Sequence, residues 1–521
     1  MSDHRLVLLE KFLIAISCIL LVIVVVCSVT RPFIYGEYDS WYYHLPISAK
    51  LWNIGNARET FILSHYSAGF YLGFPLLAEF VQGALWWMSG TVAAISLVNS
   101  LGLVVFICAA VAATKASLPV LTFGVLSVPL IVLHSISSYI DLFAGILICF
   151  QLLAASLLVD RWNLENLDEP AYQRFSIHAF LYIAAAAAAG NTKFTSLIVS
   201  LAISGYLLTF VIFFRPTMAL RRKLHLVITI GVATALSLIT CARNFREYGN
   251  PFFPIAINVL WPMPGPFKEY RNYPTYTEAL RWLARPANWI LSITDIDWKI
   301  RGVKPEYNIY NLDAHFGDNP ERYGPARTGG FWGAFMMISM GLGVALFART
   351  ARLNPDAFKR HGFLFSSFLL ISALTASMPQ SHELRYYLYW PIFLILIICV
   401  LIRCAKLTTL NRLGICGLYF ACFLGSEYIL RAPLRVFPIY SPEKEIAKKG
   451  DSPVIEFARQ SGGACLGEPY APEQLQYSAV FHGGHYVIEQ ASIGYPICSR
   501  YTHYRQSLFR FLRHRRKWGV R

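Results

Sequence analysis

Residues 12–52 read "FLIAISCILLVIVVVCSVTRPFIYGEYDSWYYHLPISAKLW". Phe12–Val29 contains no charged residue and is just long enough to cross about 30 Å of hydrocarbon. A secretory leader would have a shorter apolar core ending in a small-residue cleavage site. Here the run passes into Thr30, Arg31 and Pro32, so the expectation is an uncleaved first span. An aromatic-rich mouth follows, with Glu37, Asp39 and His44 among Tyr and Trp side chains.

The rest of the chain agrees with a membrane reading. Of 521 residues, 55% are hydrophobic and 15% charged, against about 25% charged in a soluble protein. The net charge is +16, yet no nucleic-acid motif is present. Lys and Arg cluster in short loops, "RPTMALRRK" (215–223), "ARTARLNPDAFKR" (348–360) and "RCAKLTTLNR" (403–412). Such loops stay cytoplasmic under the positive-inside rule, and an anionic lipid or lipid phosphate suits the excess charge better than nucleic acid.

Twelve apolar runs stand out: 12–29, 67–88, 91–113, 117–134, 139–159, 178–190, 192–214, 225–241, 329–348, 363–378, 387–403 and 413–429. The fold class expected is an all-α polytopic bundle of about 10–12 transmembrane segments. It occupies residues 1–430, with a first outer loop at 30–66 and a large one at 242–328. A small extracytoplasmic region, 431–521, shows weak alternation suited to a few strands. If every run crosses, "HSISSYIDLF" (134–143) falls on the cytoplasmic face. Parity is restored, and Asp141 joins Asp39 outside, if one run between 67 and 134 does not cross. Run 67–88, with Glu79 and Gln82 inside it, is the candidate.

Eleven cysteines show no metal-ligand spacing. Most lie in apolar runs, where a thiol behaves as a small hydrophobe. Cys465 and Cys498 lie in the polar C-terminal region and could pair if that region is extracytoplasmic. The absence of an N-x-[ST] sequon fits a bacterial chain.

Few polar residues stand at the mouths of the runs. Asp39 is either a solvated loop charge or a base able to take a proton from a hydroxyl. Asp141 opens an apolar run, where it serves the helix dipole or a functional site. "SHELRYYLYWP" (381–391) joins two runs and carries His382, Glu383, Arg385 and Tyr386. Arginine suits phosphate because its planar fork donates paired hydrogen bonds. Lys193 in "GNTKFT" and Arg243 in "RNFREYGNPFFP" are further cations, each readable also as a snorkelling or turn-setting residue.

The order Asp39, "SYIDL", "TKFT", "RNFREYGNPFFP", "HELRYYLYWP" resembles the membrane glycosyltransferases of the GT-C superfamily. It is most similar to the bacterial branch that resembles protein O-mannosyltransferases and lipid A aminoarabinose transferases. The likeness covers roughly residues 12–430, as an order of positions rather than a continuous match. It implies transfer of a sugar from a polyprenyl-phosphate donor to a lipid, glycan or protein acceptor outside the cytoplasm. In a bacterium that is the periplasmic face of the inner membrane. It further implies Asp39 as the catalytic acid of the first outer loop and Asp141 as a second acid. Arg385 becomes the donor-phosphate ligand, helped by Lys193 or Arg243, with His44, His382, Glu383 and Tyr386 in support. No cofactor or metal is implied. Many relatives carry adjacent acids at the first position. Here Ser40 follows Asp39 and Glu37 lies two residues earlier, so the base stays open between Asp39 and Glu37. A polymerase or ligase with a diphosphate-linked donor is the alternative, kept open by seven arginines between 246 and 327. A transporter would show paired halves with matching broken helices, and no such halves are visible.

Overall fold

The structure, a computed structural model, describes residues 3–30, 39–60, 65–160, 169–214, 218, 220–255, 284–294, 330–378, 381 and 383–429. Glu37, His382, most of the 242–328 loop and the whole 431–521 region, with Cys465 and Cys498, lie outside the described residues.

Helix α1 (Asp3–Thr30) carries the first apolar run. A single π-type turn (Ser40–His44) runs directly into α2 (Leu45–Trp52), followed by α3 (Ala57–Thr60), α4 (His65–Gly73) and α5 (Leu77–Ser89). Next come α6 (Leu97–Thr114), α7 (Leu118–Leu126), α8 (Pro129–Ser135) and α9 (Asp141–Asp160). After them stand α10 (Glu169–Gly190), α11 (Phe194–Phe214), α12 (Leu220–Ser237) and α13 (Ile239–Tyr248). The last group is α14 (Ala284–Thr294), α15 (Gly330–Leu353), α16 (Pro355–Arg360), α17 (Gly362–Ser377), α18 (Tyr389–Cys404) and α19 (Thr409–Ile429). No β-strand occurs among the described residues.

Among the described residues five helices are long and apolar enough to cross a membrane, or seven if each bent pair is one span; three further apolar helices are shorter. The described residues form the all-α fold of an integral membrane protein. Run 67–88 is broken into α4 and α5 around Pro75, and neither piece has the length of a span. Run 117–134 is not one straight helix either: α7 and α8 meet at 89°. Pro129 has no N–H to continue the ladder and pushes Val128 into extended backbone.

Helix α9 is the hub. It packs against α6, α10, α11, α17, α18 and the turn Leu384–Tyr387. Apolar side chains gain little by leaving lipid for one another, so close backbone approach and polar contacts hold such helices together. A β-carbon on Gly145 would lie 3.0 Å from Tyr389 N, which brings α9 against the start of α18. On the α10 side, Tyr182 Oη and Ser204 Oγ bond at 2.7 Å, and Gln151 Nε2 donates to Ser200 O at 3.1 Å. The hub thus brings Asp141, at its first residue, close to the turn that carries Arg385.

Candidate active site

Four segments converge at the Asp141 end of α9. The first is the π-type turn after Asp39, closed by Leu45 N donating to Ser40 O; such turns recur at functional sites. The second is the loop 136–140. Asn99 holds it, its Nδ2 donating to Ser137 O (3.0 Å) and Tyr139 O (2.7 Å) while its Oδ1 accepts from Phe143 N (3.0 Å) in the first turn of α9. The third is the α10–α11 turn carrying Lys193. Asn191 O accepts from Leu77 N at 2.9 Å, and Asn191 Nδ2 donates to Leu236 O at 2.8 Å. The fourth is the turn at Glu383–Tyr387. It is fastened to α14 by a Ser292–Tyr387 hydroxyl pair and, from Ser381, by a 3.0 Å bond to Arg285 O.

The charged side chains interlock. Arg385 Nη1 donates to Asp39 Oδ2 at 3.0 Å, across 346 residues of sequence. Its Nε donates to Glu383 Oε2 at 3.2 Å and its Nη2 to Tyr386 Oη at 2.9 Å. Lys193 Nζ forms an ion pair with Asp141. The same ammonium lies 4.2 Å from the Tyr386 ring centre, and the Arg385 guanidinium lies 4.7 Å from that ring and 5.8 Å from the Tyr139 ring. Tyr386 thus joins the two ion pairs into one cluster. Asp39 and Lys193 are its open members, with side chains 21% and 23% exposed, against 12% for Arg385 and 4% for Asp141.

Tyr386 and Tyr43 border this cluster. Burial pushes both phenols well above the ordinary tyrosine range; Arg385 opposes that rise, and nearby carboxylates add to it. Both remain neutral donors over any physiological pH. His44 is not at the surface of the site. It is 1% exposed, with Nδ1 bonded to Glu79 Oε1 at 2.8 Å. Leu45–Ala49 of helix α2 are buried, and the helix packs against α5.

Arg243 differs from the expectation for it. Its Nη2 donates to Leu72 O at 2.8 Å and to Asn244 Oδ1 at 2.9 Å, while Asn244 Nδ2 donates to Gly73 O at 2.6 Å. Backbone carbonyls at the end of α4 compete best for it, so it pins α13 rather than joining Asp39 and Asp141. Among the described residues no group of three or more His, Cys, Asp or Glu side chains is arranged to hold a metal ion. The three carboxylates at the rim face cationic side chains instead.

Sequence reasoning missed Tyr43, Tyr139 and Asn99 as parts of the site. The aromatic density around Asp39 pointed to the first; nothing local marks Asn99, which sits inside an apolar helix.

No protein-family model and no curated protein matches the sequence. Solved structures do. The archaeal oligosaccharyltransferase AglB from Archaeoglobus fulgidus, in complex with an inhibitory peptide and a dolichol-phosphate, aligns over 91% of this chain at 11% identity and TM-score 0.52. The alignment spans 64% of the AglB chain, so this chain covers just under two thirds of that protein. ArnT from Cupriavidus metallidurans in its apo state aligns over 91% of this chain and 88% of its own, at 12% identity and TM-score 0.37. An Archaeoglobus fulgidus oligosaccharyltransferase tethered with an acceptor peptide covers 92% of this chain and 61% of its own at 11% identity and TM-score 0.42. The fold of this chain is similar to that of AglB.

Proposed function

We propose that this protein is a membrane glycosyltransferase. It moves a sugar from a polyprenyl-phosphate donor to an acceptor hydroxyl at the extracytoplasmic rim of the bilayer, the periplasmic face if the host is a bacterium. The observation that carries the reading is the Asp39–Arg385 pair beside the Asp141–Lys193 pair, at the Asp141 end of the hub helix. The AglB fold, described with a bound dolichol-phosphate, supports a lipid phosphate as the ligand.

The geometry suits an exchange of anions. In the free protein Arg385 is held by Asp39 and Glu383. A donor phosphate is an equal or better partner for the guanidinium fork, and its arrival frees Asp39. The freed carboxylate takes the proton of the acceptor hydroxyl as that oxygen attacks the anomeric carbon. The bond from the anomeric carbon to the phosphate oxygen breaks with its electron pair on the phosphate. Arg385 and Lys193 neutralise the charge that develops there. One displacement of this kind inverts the anomeric configuration. Glu37 is the alternative base, and the neutral phenols of Tyr43 and Tyr386 orient sugar or phosphate oxygens.

Charge favours a monophosphate over a diphosphate donor. Three carboxylates already face two cations at the rim. A single phosphodiester charge can displace one carboxylate from Arg385; a diphosphate adds a second charge with no described cation to meet it. The test is purified protein in lipid nanodiscs, given a radiolabelled polyprenyl-monophosphate sugar in one arm and a diphosphate-linked oligosaccharide in the other. Transfer from the first, abolished by Asp39→Asn, supports the reading. Transfer from the second alone points to the polymerase or ligase class.

A further inference from the structure

Beneath the charged rim lies a second polar layer, supplied by α5, that the transfer step does not use. Glu79 and Gln82 lie one turn apart on one face of α5 and are 2% and 1% exposed. Glu79 Oε1 bonds His44 Nδ1 at 2.8 Å, and His44 closes the π-type turn that opens beside Asp39. Gln82 Nε2 donates to Ser138 O at 2.7 Å, in the loop that delivers Asp141. Ser138 Oγ in turn donates to Ser40 Oγ, tying the two segments to each other. The His44 ring lies 5.8 Å from the Tyr139 ring, which borders Arg385. Helix α5 is itself fixed on α2. Trp52 Nε1 donates to Phe80 O at 2.8 Å, and a β-carbon on Gly83 would fall 2.6 Å from Ser48 O, too close for any residue but glycine.

Stability does not explain this pair. Glu79 Oε2 and Gln82 Oε1 are buried with no hydrogen-bond partner among the described residues. A buried acceptor without a partner destabilises a fold, and well-packed apolar residues avoid that penalty. What the two polar residues supply is a grip, one on each acid-bearing segment.

We infer that Glu79 and Gln82 are positioning residues, two prongs of one helix that set the separation and aim of Asp39 relative to Asp141. The inference rests on the transferase reading for the meaning of those acids, not for the grip itself. Glu79 and Gln82 act through His44, Ser40 and Ser138 and touch no reacting atom. A rigid supporting layer of this kind is what keeps a reactive pair in register.

The test uses the full chain in nanodiscs with Ser40→Cys and Ser138→Cys together. The hydrogen-bonded hydroxyls place these β-carbons within disulfide reach. Diamide-driven formation of the 40–138 disulfide, followed by mass spectrometry of the linked peptide, should be fast in this background and several-fold slower with Glu79→Ala or Gln82→Ala added. In transfer assays without the cysteines, Glu79→Ala should lower kcat roughly 10²-fold, the effect of a misplacement near 1 Å, with the donor KM little changed. Glu79→Gln, which keeps an acceptor for His44, should recover most of the rate; in the Ser40→Cys, Ser138→Cys background, closing the 40–138 disulfide should rescue Glu79→Ala. Disulfide formation at one rate in all backgrounds, or kcat indifferent to positions 79 and 82, overturns the inference. Gln82→Met, which keeps the shape, carries the same two readouts if Glu79→Ala fails to fold. The expected cross-linking pattern in the cysteine variants, together with a wild-type protein that transfers no sugar, would keep the grip and remove the transferase reading.

Discussion

Arg243 and Arg385 each head a stretch of aromatics and proline, and the resemblance offers both to a phosphate, though Arg243 reads also as a turn-setting residue. Their surroundings separate them. The Arg243 guanidinium faces the Leu72 carbonyl and the Asn244 side chain, and Asn244 itself holds the Gly73 carbonyl. The Arg385 guanidinium faces Asp39, Glu383 and Tyr386. An incoming phosphate can replace a carboxylate like for like, whereas replacing a backbone carbonyl opens the junction of α4 and α13. The lesson is that the partners of a cation, not its sequence neighbours, decide whether it is available to a ligand.

The sharpest way to break this contrast is to neutralise both positions. Arg385→Gln should reduce transfer by about 10²–10³-fold, as loss of a donor to developing charge does elsewhere, with donor binding weakened in parallel. Arg243→Gln should instead lower thermal stability by roughly 1.5–3 kcal/mol, the range for hydrogen bonds to charged groups, while the folded fraction keeps its turnover. If the two variants exchange phenotypes in kinetics and thermal denaturation, the distinction fails.

Asp39→Asn comes next. Transfer should fall by about 10²–10⁴-fold, the contribution of a general base. Donor affinity, read by titration with polyprenyl phosphate, should hold or improve because the guanidinium loses a competitor. A loss of donor affinity equal to that of Arg385→Gln would make Asp39 a binding residue instead. Lys193→Met should have a smaller kinetic effect, about tenfold, since charge-assisted contacts of partly exposed cations contribute roughly 1–2 kcal/mol. It also leaves Asp141 without its ion-pair partner, so a lower melting temperature should accompany it.

Tyr386→Phe should be the mildest, a few-fold in rate at most, because only the hydroxyl facing Arg385 is lost. Burial raises the Tyr386 pKa, so the phenol stays protonated through the alkaline range. The alkaline limb of the pH–rate profile should therefore keep its position in this variant. A shift of that limb would show that Tyr386 titrates during turnover.

Much of the architecture was readable from apolar runs alone. Phe12–Val29 became α1, and "GNTKFT" became the tight connection between α10 and α11. Glu79 and Gln82 made run 67–88 the candidate for a run that does not cross, and the chain there forms two short helices. Pro129 was visible inside run 117–134, yet the 89° bend it permits depends on distant packing, such as Gly124 against Ile395. The assignment of Asp39, Asp141 and Arg385 to one site came from the order of motifs in the GT-C resemblance, not from composition. A buried polar residue announces that it needs a partner without saying which. His44 and Glu79 lie 35 residues apart, and no local pattern joins them. The partner of Arg243 was hidden for the same reason, the Leu72 carbonyl being 171 residues away.

The central claim is that Asp39 and Arg385 share one rim and that a lipid phosphate exchanges for the carboxylate there. Electron cryomicroscopy of the protein in nanodiscs with polyprenyl phosphate tests it directly. The account predicts phosphate density bonded to Arg385, with the Asp39 carboxylate released from the guanidinium and its lipid tail running between helices. Phosphate density against the basic 221–223 segment with the Asp39–Arg385 bond intact, or Asp39 and Arg385 on opposite leaflets, would contradict it.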